Sequence, residues 1–207
     1  MLKLKNVQYE DILKYPDIEI PETITTFICG ESGSGKSTLL KLFNGVLSPS
    51  DGSIFYSGKA LEEYDPIHLR QKILLVSQSV FLFDKSIKEN FDEYRAYRGL
   101  DPLREEEIKR YLEICSVDLP LDSMCHVLSG GERQRVFLAI NLSLHPKVLM
   151  MDEPTSALDD KNANTLMEQV KAHCKANQIT LIVVSHDKDL AEIYADHVVT
   201  LSSGVRQ

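Results

Sequence analysis

The chain has 207 residues, 43% of them hydrophobic and 26% charged, which is enough for one domain with a substantial core. Its formal net charge of -8 argues against broad affinity for nucleic acid, because neutralising phosphates requires clustered lysine and arginine. No apolar run approaches the length that spans a bilayer, and the four cysteines lack metal-type spacing, so we expect reduced thiols in a cytosolic protein.

The first part of the chain has the pattern of an antiparallel β part. Apolar residues between Leu2 and Val7 are spaced like those of a strand, and Ile18-Glu19-Ile20 predicts a second strand. Farther on, the run Ser53–Tyr56 and the turn signal Ser57-Gly58 predict an antiparallel hairpin.

A stretch that begins at Gly30 fits the pattern G-x-x-x-x-G-K-[ST] of a phosphate-binding loop. It lies between a predicted buried strand, Thr25–Cys29, and a predicted helix that starts near Lys36. Glycines let the backbone approach phosphates closely, the N–H groups and the helix N-terminus attract the anion, and Lys36 reaches the β- and γ-phosphates. The predicted contacts with a nucleoside triphosphate are Gly30, Glu31, Ser32, Gly33, Ser34, Gly35, Lys36, Ser37 and Thr38, with Ser37 also a Mg²⁺ ligand.

A helical insertion is predicted between two strands of the main sheet. The short apolar run Lys72–Val76 is typical of a buried strand and ends before Gln78. The chain then becomes rich in charged and aromatic residues, and strand patterns vanish. Ser86 is a candidate cap for the first helix, and a helical spacing of apolar residues runs over 103–115. We expect the helical subdomain to cover roughly residues 79–145.

The rest of the chain alternates between helices and apolar strands. Helices are predicted over 130–144, 159–176 and 187–194, and strands over 148–151, 179–184 and 197–201. Continuous apolar strands that alternate with helices are typical of a parallel sheet covered on both faces. The sequence therefore predicts an α/β fold with a mainly parallel sheet core, an N-terminal antiparallel β part and an inserted helical subdomain, as a single domain over 1–207.

Two carboxylates follow the predicted buried strand at 148–151. A carboxylate in such a place is unfavourable unless a cation meets it, and in a phosphate-loop protein Asp152 can hold Mg²⁺. Glu153 lies one residue farther along, so it can face the attacking water as a general base. The alternative is a turn capped by two acids, with no catalytic role.

A second potential phosphate cradle is the stretch Leu128–Glu132. A serine followed by two glycines at a helix N-terminus offers backbone N–H groups and the positive end of the helix dipole. A single domain rarely needs two such cradles for one triphosphate. We therefore expect Ser129, Gly130 and Gly131 to contact a nucleotide held by a second molecule.

Together these motifs resemble the nucleotide-binding subunit of an ATP-binding cassette (ABC) transporter, in the family's order and over nearly the whole chain. The phosphate loop, the acids Asp152-Glu153 and the stretch Leu128–Glu132 match the family's phosphate loop, acidic strand end and signature. Gln78 resembles its loop glutamine, Ser156–Asp159 the loop that crosses the dimer interface, and His186 the switch histidine.

The resemblance implies an ATPase that forms an ATP-dependent homodimer with two ATP molecules at the interface, where Asp159 would lie near the nucleotide. Gln78 would touch Mg²⁺ or the lytic water, and His186 would hold the γ-phosphate and orient the general base. The family usually stacks the adenine on an aromatic residue upstream of the phosphate loop. Tyr9 is the first candidate for this role and Tyr15 the second.

The resemblance also implies that ATP hydrolysis powers transport through an integral-membrane permease made as a separate chain. The protein would then be cytoplasmic and would lie on the inner face of the cell membrane through that permease. The chain departs from the family at Pro21-Glu22, where members usually have a glycine before the glutamate that precedes the loop strand. Its compact form is also similar to the ATPase subunits of small metal-efflux systems, iron among them.

The run Ser79–Phe83 is more apolar than an exposed loop requires. One interpretation is that Phe81 and Phe83 pack inside the helical subdomain. The other is that part of the run lines a groove for a short cytoplasmic helix of the permease.

Two other classes of protein share part of this pattern. Soluble family members act on DNA or on ribosomes, but the former insert a long coiled coil between loop and signature, and the latter carry two cassettes. The segment between loop and signature is short here and lacks heptads, and the motifs occur once, so we expect no nucleic-acid partner. A small-molecule kinase with the same loop would need neither the signature nor His186.

Overall fold

The computed structural model describes residues 1–202, so the last positions of the domain predicted over 1–207 lie outside the described residues. The strands are β1 (Leu2–Tyr9), β2 (Leu13–Lys14), β3 (Ile18–Ile20), β4 (Thr25–Gly30), β5 (Asp51–Tyr56), β6 (Lys59–Ala60), β7 (Ile73–Val76), β8 (Val148–Asp152), β9 (Thr180–Val184) and β10 (His197–Leu201). The helices are α1 (Lys36–Phe43), α2 (Pro66–Lys72), α3 (Ile87–Ala96), α4 (Glu105–Ile114), α5 (Gly130–Ser143), α6 (Asp160–Ala176) and α7 (Lys188–Tyr194).

The strands form two sheets. In the first, β1 pairs antiparallel with β2, β3 and β5, and β5 pairs antiparallel with β6, so the predicted N-terminal β part and its hairpin are confirmed. In the second, the order is β10-β4-β9-β8-β7 and every pairing is parallel, as predicted. The carboxyl ends of its strands therefore meet at one edge, which is where parallel α/β sheets bind ligands.

The parallel sheet is covered on both faces, and adjacent strand residues point to opposite sides. Ile28 of β4 belongs to a core shared with α1 and the antiparallel sheet. Its neighbour Phe27 belongs to a second core, which also holds Leu149 of β8. The same second core includes Phe91 of α3 and Ile108 of α4. The inserted helices therefore share one continuous apolar core with the sheet.

Side-chain caps set where the helices begin. Ser86 caps α3 as predicted: its Oγ accepts from Glu89 N at 3.2 Å, and Glu89 Oε2 accepts from Ser86 N at 2.9 Å. Two other helices begin one residue later than predicted, because Asp159 and Asp187 keep extended backbones and cap α6 and α7 with their carboxylates. No helix within residues 1–202 combines the length and the apolar character needed to cross a membrane.

Candidate nucleotide site

The phosphate-binding loop leaves the end of β4 and leads into α1. Gly35, just before the helix, has a left-handed backbone with φ 87°. Lys36 is buried, and its Nζ donates to the carbonyl oxygens of Gly30 at 2.8 Å and Glu31 at 2.9 Å. The ammonium group therefore lies across the loop, inside the ring of backbone that would surround phosphate groups.

Tyr15 stabilises the phosphate-binding loop through a hydrogen bond to its backbone. Its hydroxyl donates to the Gly35 carbonyl at 2.9 Å, and a Cβ added at Gly35 would lie 2.7 Å from that hydroxyl oxygen. Glycine is needed there both for its φ and for this close approach. Tyr15 is only 4% exposed, and burial raises the pKa of its phenol well above the usual value. The second adenine candidate is thus contradicted, because the ring is packed in the core. Tyr9 is half-buried at the end of β1 and keeps part of its surface exposed.

Asp152 ends β8 at the same edge of the sheet. It is 7% exposed, and its Oδ1 is buried without a hydrogen-bond partner anywhere in residues 1–202. A buried carboxylate oxygen without a partner is expensive, so this geometry suits a bound cation. Ser37 is exposed in the first turn of α1, and Gln78 is exposed just beyond β7. The oxygen atoms of these three side chains are the type of ligand that Mg²⁺ prefers.

Glu153 and His186 form a pair next to Asp152. His186 Nδ1 lies 2.8 Å from Glu153 Oε2, and the Glu153 side chain is 13% exposed whereas that of His186 is 73% exposed. Glu153 has a left-handed backbone with φ 51°, an unfavourable conformation for a long side chain. Its N–H donates to the Val184 carbonyl at 2.9 Å, which fixes this turn against the end of β9.

Cys29 is a half-buried free cysteine near the end of β4, next to the phosphate loop. Burial raises the pKa of the Cys29 thiol, while the nearby charges of Lys36 and Lys188 lower it and that of Glu153 raises it. The thiol thus lies within electrostatic reach of both predicted site residues. Lys188, at the start of α7, is a further cation at this edge that sequence reasoning missed. A single exposed lysine carries no sequence signal that could have revealed it.

The signature residues begin α5. Glu132 Oε2 accepts from Ser129 N at 2.8 Å and from Ser129 Oγ at 2.6 Å, and these bonds lower the pKa of the Glu132 carboxyl. Ser129 and Gly130 are exposed, and a Cβ added at Gly130 would meet no atom within 4 Å. No hydrogen bond of the described chain joins Ser129, Gly130 or Gly131 to the phosphate loop. Their surface is therefore open to a second molecule.

The loop Ser156–Asp159 lies beside the signature. A Cβ added at Gly131 would be 3.5 Å from the Cβ of Ala157. The Asp159 carboxylate accepts from Asn162 N at 2.9 Å and from Asn162 Nδ2 at 2.7 Å, so it caps α6. Asp159 itself is exposed. Its predicted nucleotide contact stays a prediction, and its capping role is visible within one chain.

The chain matches the sequence profile described as "ABC transporter" over residues 13–156. It is 34% identical over 199 residues to a protein named "Putative hemin import ATP-binding protein HrtA" from Staphylococcus haemolyticus, covering 94% of this chain and 90% of that protein. It is 36% identical over 183 residues to the "Glycine betaine/carnitine/choline transport ATP-binding protein OpuCA" of Bacillus subtilis, of which it spans 48%.

The chain is also similar to solved structures of ATP-binding cassettes. The dimeric structure of MJ0796, described as a bacterial ABC transporter cassette, superposes with a TM-score of 0.86 at 27% identity and covers 99% of this chain and 95% of that one. A second MJ0796 structure, a dimeric post-hydrolysis state bound to ADP and Pi, gives a TM-score of 0.84 at 26% identity. The match covers 99% of this chain and 95% of that one.

Proposed function

The chain belongs to the ABC transporter family as an ATP-binding and ATP-hydrolysing subunit that powers transport through a separate permease, and we propose here how its residues divide this work. The observation that carries the proposal is the Glu153–His186 pair, 2.8 Å apart, beside the unpaired Oδ1 of Asp152. The register of the sheet supports a compact site, because Val184 of β9 pairs with Ile28 of β4 on one side and with Asp152 of β8 on the other.

The triphosphate lies in the loop Gly30–Thr38. Its oxygens take the place of the Gly30 and Glu31 carbonyls as partners of Lys36 Nζ, and the N-terminus of α1 faces them. Tyr9 stacks on the adenine. Its half-buried position supports this, as does its pairing with Leu13, a side-chain atom of which lies 2.9 Å from a Cβ built at Gly35 of the loop. Two copies of the chain assemble head to tail, so that Ser129, Gly130 and Gly131 of one contact the ATP of the other.

Three residues of the site would hold Mg²⁺: Ser37, Asp152 and Gln78. The unpaired carboxylate oxygen of Asp152 supports this assignment most directly. When bound, the ion would neutralise charge that develops on the phosphate oxygens.

Glu153 is the general base. Its carboxylate accepts the proton of the attacking water, and its low exposure keeps bulk water from competing for that proton. His186 holds the carboxylate in place through Nδ1, which leaves the other ring nitrogen free to reach the γ-phosphate. Glu153 contacts His186 from a backbone with φ 51°, whereas the preceding Asp152 is buried.

A surface for the permease lies just after Gln78. We call it the aromatic patch, and it consists of Phe81, Phe83, Tyr94 and Tyr97. Phe81 is 63% and Tyr97 73% exposed, and the Phe83 ring lies between them, with centroids 5.0 Å from Phe81 and 6.1 Å from Tyr97. Exposed aromatic clusters are suited to anchor an amphipathic helix. Docking of a cytoplasmic helix here would hold the protein on the inner face of the membrane.

Phosphate release from ATP by the purified chain, alone and with its permease in liposomes, tests this function. We expect Mg²⁺-dependent release that rises when the permease is present. Absence of phosphate release in both preparations would contradict the proposal. Transfer of the γ-phosphate to a small-molecule acceptor instead of water would support a kinase.

A further inference from the structure

Asn90 of α3 connects the aromatic patch to the stretch that precedes the signature. The side chain is 0% exposed. Its Oδ1 accepts from Phe83 N at 2.8 Å, and its Nδ2 donates to Phe83 O at 3.1 Å and to Cys125 Sγ at 3.3 Å. The carbonyl oxygens of Lys85 at 3.3 Å and Ser86 at 2.9 Å also lie within reach of Nδ2, so its two hydrogens are shared among four acceptors. One buried amide therefore contacts the patch, the start of α3 and the segment before the signature.

The backbone joins the same two segments, residues 83–88 and 121–126, which we call the paired segments. Its hydrogen bonds run from Ile87 N to Ser123 O at 3.0 Å, from Lys88 N to Leu121 O at 3.0 Å and from Cys125 N to Lys85 O at 2.9 Å. On the surface, His126 Nδ1 lies 2.6 Å from Asp84 Oδ1. The two segments are thus bonded from the core to the surface.

The paired segments are in turn attached to the signature helix. Arg133, in the first turns of α5, donates from a guanidinium nitrogen to the Cys125 carbonyl at 2.7 Å, and its N–H donates to Ser129 O at 2.9 Å. Since Cys125 also touches the Asn90 amide, a continuous set of short contacts runs from Phe83 to Ser129.

We propose that Asn90 is a positioning residue for ATP hydrolysis. Its side-chain contacts make the aromatic patch and the signature move as one unit. A partner docked on the patch would then set where Ser129 meets the ATP of the second molecule. This inference rests on the proposed function. The Asn90 side chain matters most for Phe83, because its Oδ1 is the acceptor of the Phe83 N–H. The two carbonyl oxygens have other donors: Lys85 O accepts from Cys125 N, and Ser86 O accepts from the backbone N–H of Asn90.

The test compares Asn90→Ala with Asn141→Ala in the Glu153→Gln background. Asn141 is a matched control because it is also buried, at 5% exposed, and its Nδ2 donates to Phe137 O within α5, away from the paired segments. Three quantities are measured for each variant: the Tm, the affinity of the monomer for a fluorescent ATP analogue, and ATP-driven dimerisation by sizing chromatography with light scattering. A fourth quantity, the labelling rate of Cys125 by a thiol reagent, is read by peptide mass spectrometry and reports opening of the paired segments.

For Asn90→Ala we expect unchanged ATP affinity, Cys125 labelling faster by about tenfold or more, and dimerisation weaker by about tenfold or more, because a buried N–H loses its acceptor. Asn141→Ala should lower the Tm by a similar amount and leave dimerisation as in the parent. If Asn90→Ala fails to fold, Asn90→Ser, whose hydroxyl can donate to Ser86 O one turn back but leaves Phe83 N without its acceptor, should give the same losses.

Dimerisation of the Asn90 variants at the parent's ATP concentration would overturn the inference, as would an equal loss in Asn141→Ala. A failure of the proposed function would instead be seen in the Glu153→Gln parent, as a loss of its own ATP-driven dimerisation. A parent that stays monomeric with ATP contradicts the shared site, and with it the inference. A parent that dimerises leaves any defect attributable to Asn90 alone.

Discussion

Glu153→Gln separates proton acceptance from every other property of the site. Glutamine has nearly the same size and shape as glutamate, and its amide oxygen can accept from His186 Nδ1 as Glu153 Oε2 does at 2.8 Å. The turn at position 153 is held by the backbone bond to Val184 O, which the substitution leaves in place. The loop lysine and Asp152 are unchanged. The variant should therefore fold and bind ATP like the wild type.

The expected loss of hydrolysis follows from the role of the carboxylate. A positioned general base contributes about 10²–10⁴-fold to a rate, which corresponds to about 2.7–5.4 kcal/mol of activation free energy. Since the Glu153 side chain is 13% exposed, bulk water is poorly placed to substitute as the base. We expect the lower part of this range only if His186 can accept the proton instead. The retained ATP should also trap the dimer.

The assay is steady-state phosphate release, with ATP affinity measured separately by equilibrium binding. Glu192→Gln is the matched control, because it removes the same charge from an exposed position on α7 outside the site. The control should hydrolyse ATP like the wild type. Near-wild-type hydrolysis by Glu153→Gln, with the control also unaffected, would refute the general-base role. Loss of ATP binding in Glu153→Gln would show instead that the carboxylate supports the nucleotide.

Three other substitutions test the remaining contacts. Lys36→Ala should weaken ATP binding by removing the cation that lies across the loop, and unchanged affinity for labelled ATP would contradict the phosphate contact. Ser129→Arg in the Glu153→Gln background should abolish ATP-driven dimerisation while the monomer still binds ATP, since it places bulk and charge on an exposed surface; sizing chromatography would reveal a dimer if the shared site is wrong. Phe81→Ser should lower permease-stimulated hydrolysis and leave basal hydrolysis and Tm nearly unchanged, because the ring is 63% exposed. A fall in Tm without a selective loss of stimulation would identify Phe81 as a structural residue.

Much of the site could be predicted from the sequence because its signals are local. The phosphate loop has fixed spacing between a buried strand and a helix, and Asp152 and Glu153 follow directly on an apolar run that marks a buried strand. The support of the loop by Tyr15 could not be foreseen, because it is a contact over 20 residues between side chain and backbone. The orientation of Phe81 depended on the fold for the same reason, since an apolar run does not say which ring faces solvent.

Glu153, which directly follows β8, has a left-handed backbone conformation that is unfavourable for a long side chain. Such a conformation lowers the stability of the fold by roughly 1–3 kcal/mol. Asparagine tolerates this conformation better than glutamate does. A laboratory selection for thermal stability alone should therefore enrich Glu153→Asn, and the survivors should be more heat-resistant and inactive. Stability and turnover compete at this single position, so any library built to stabilise the protein needs to keep codon 153 fixed or to screen for hydrolysis at the same time.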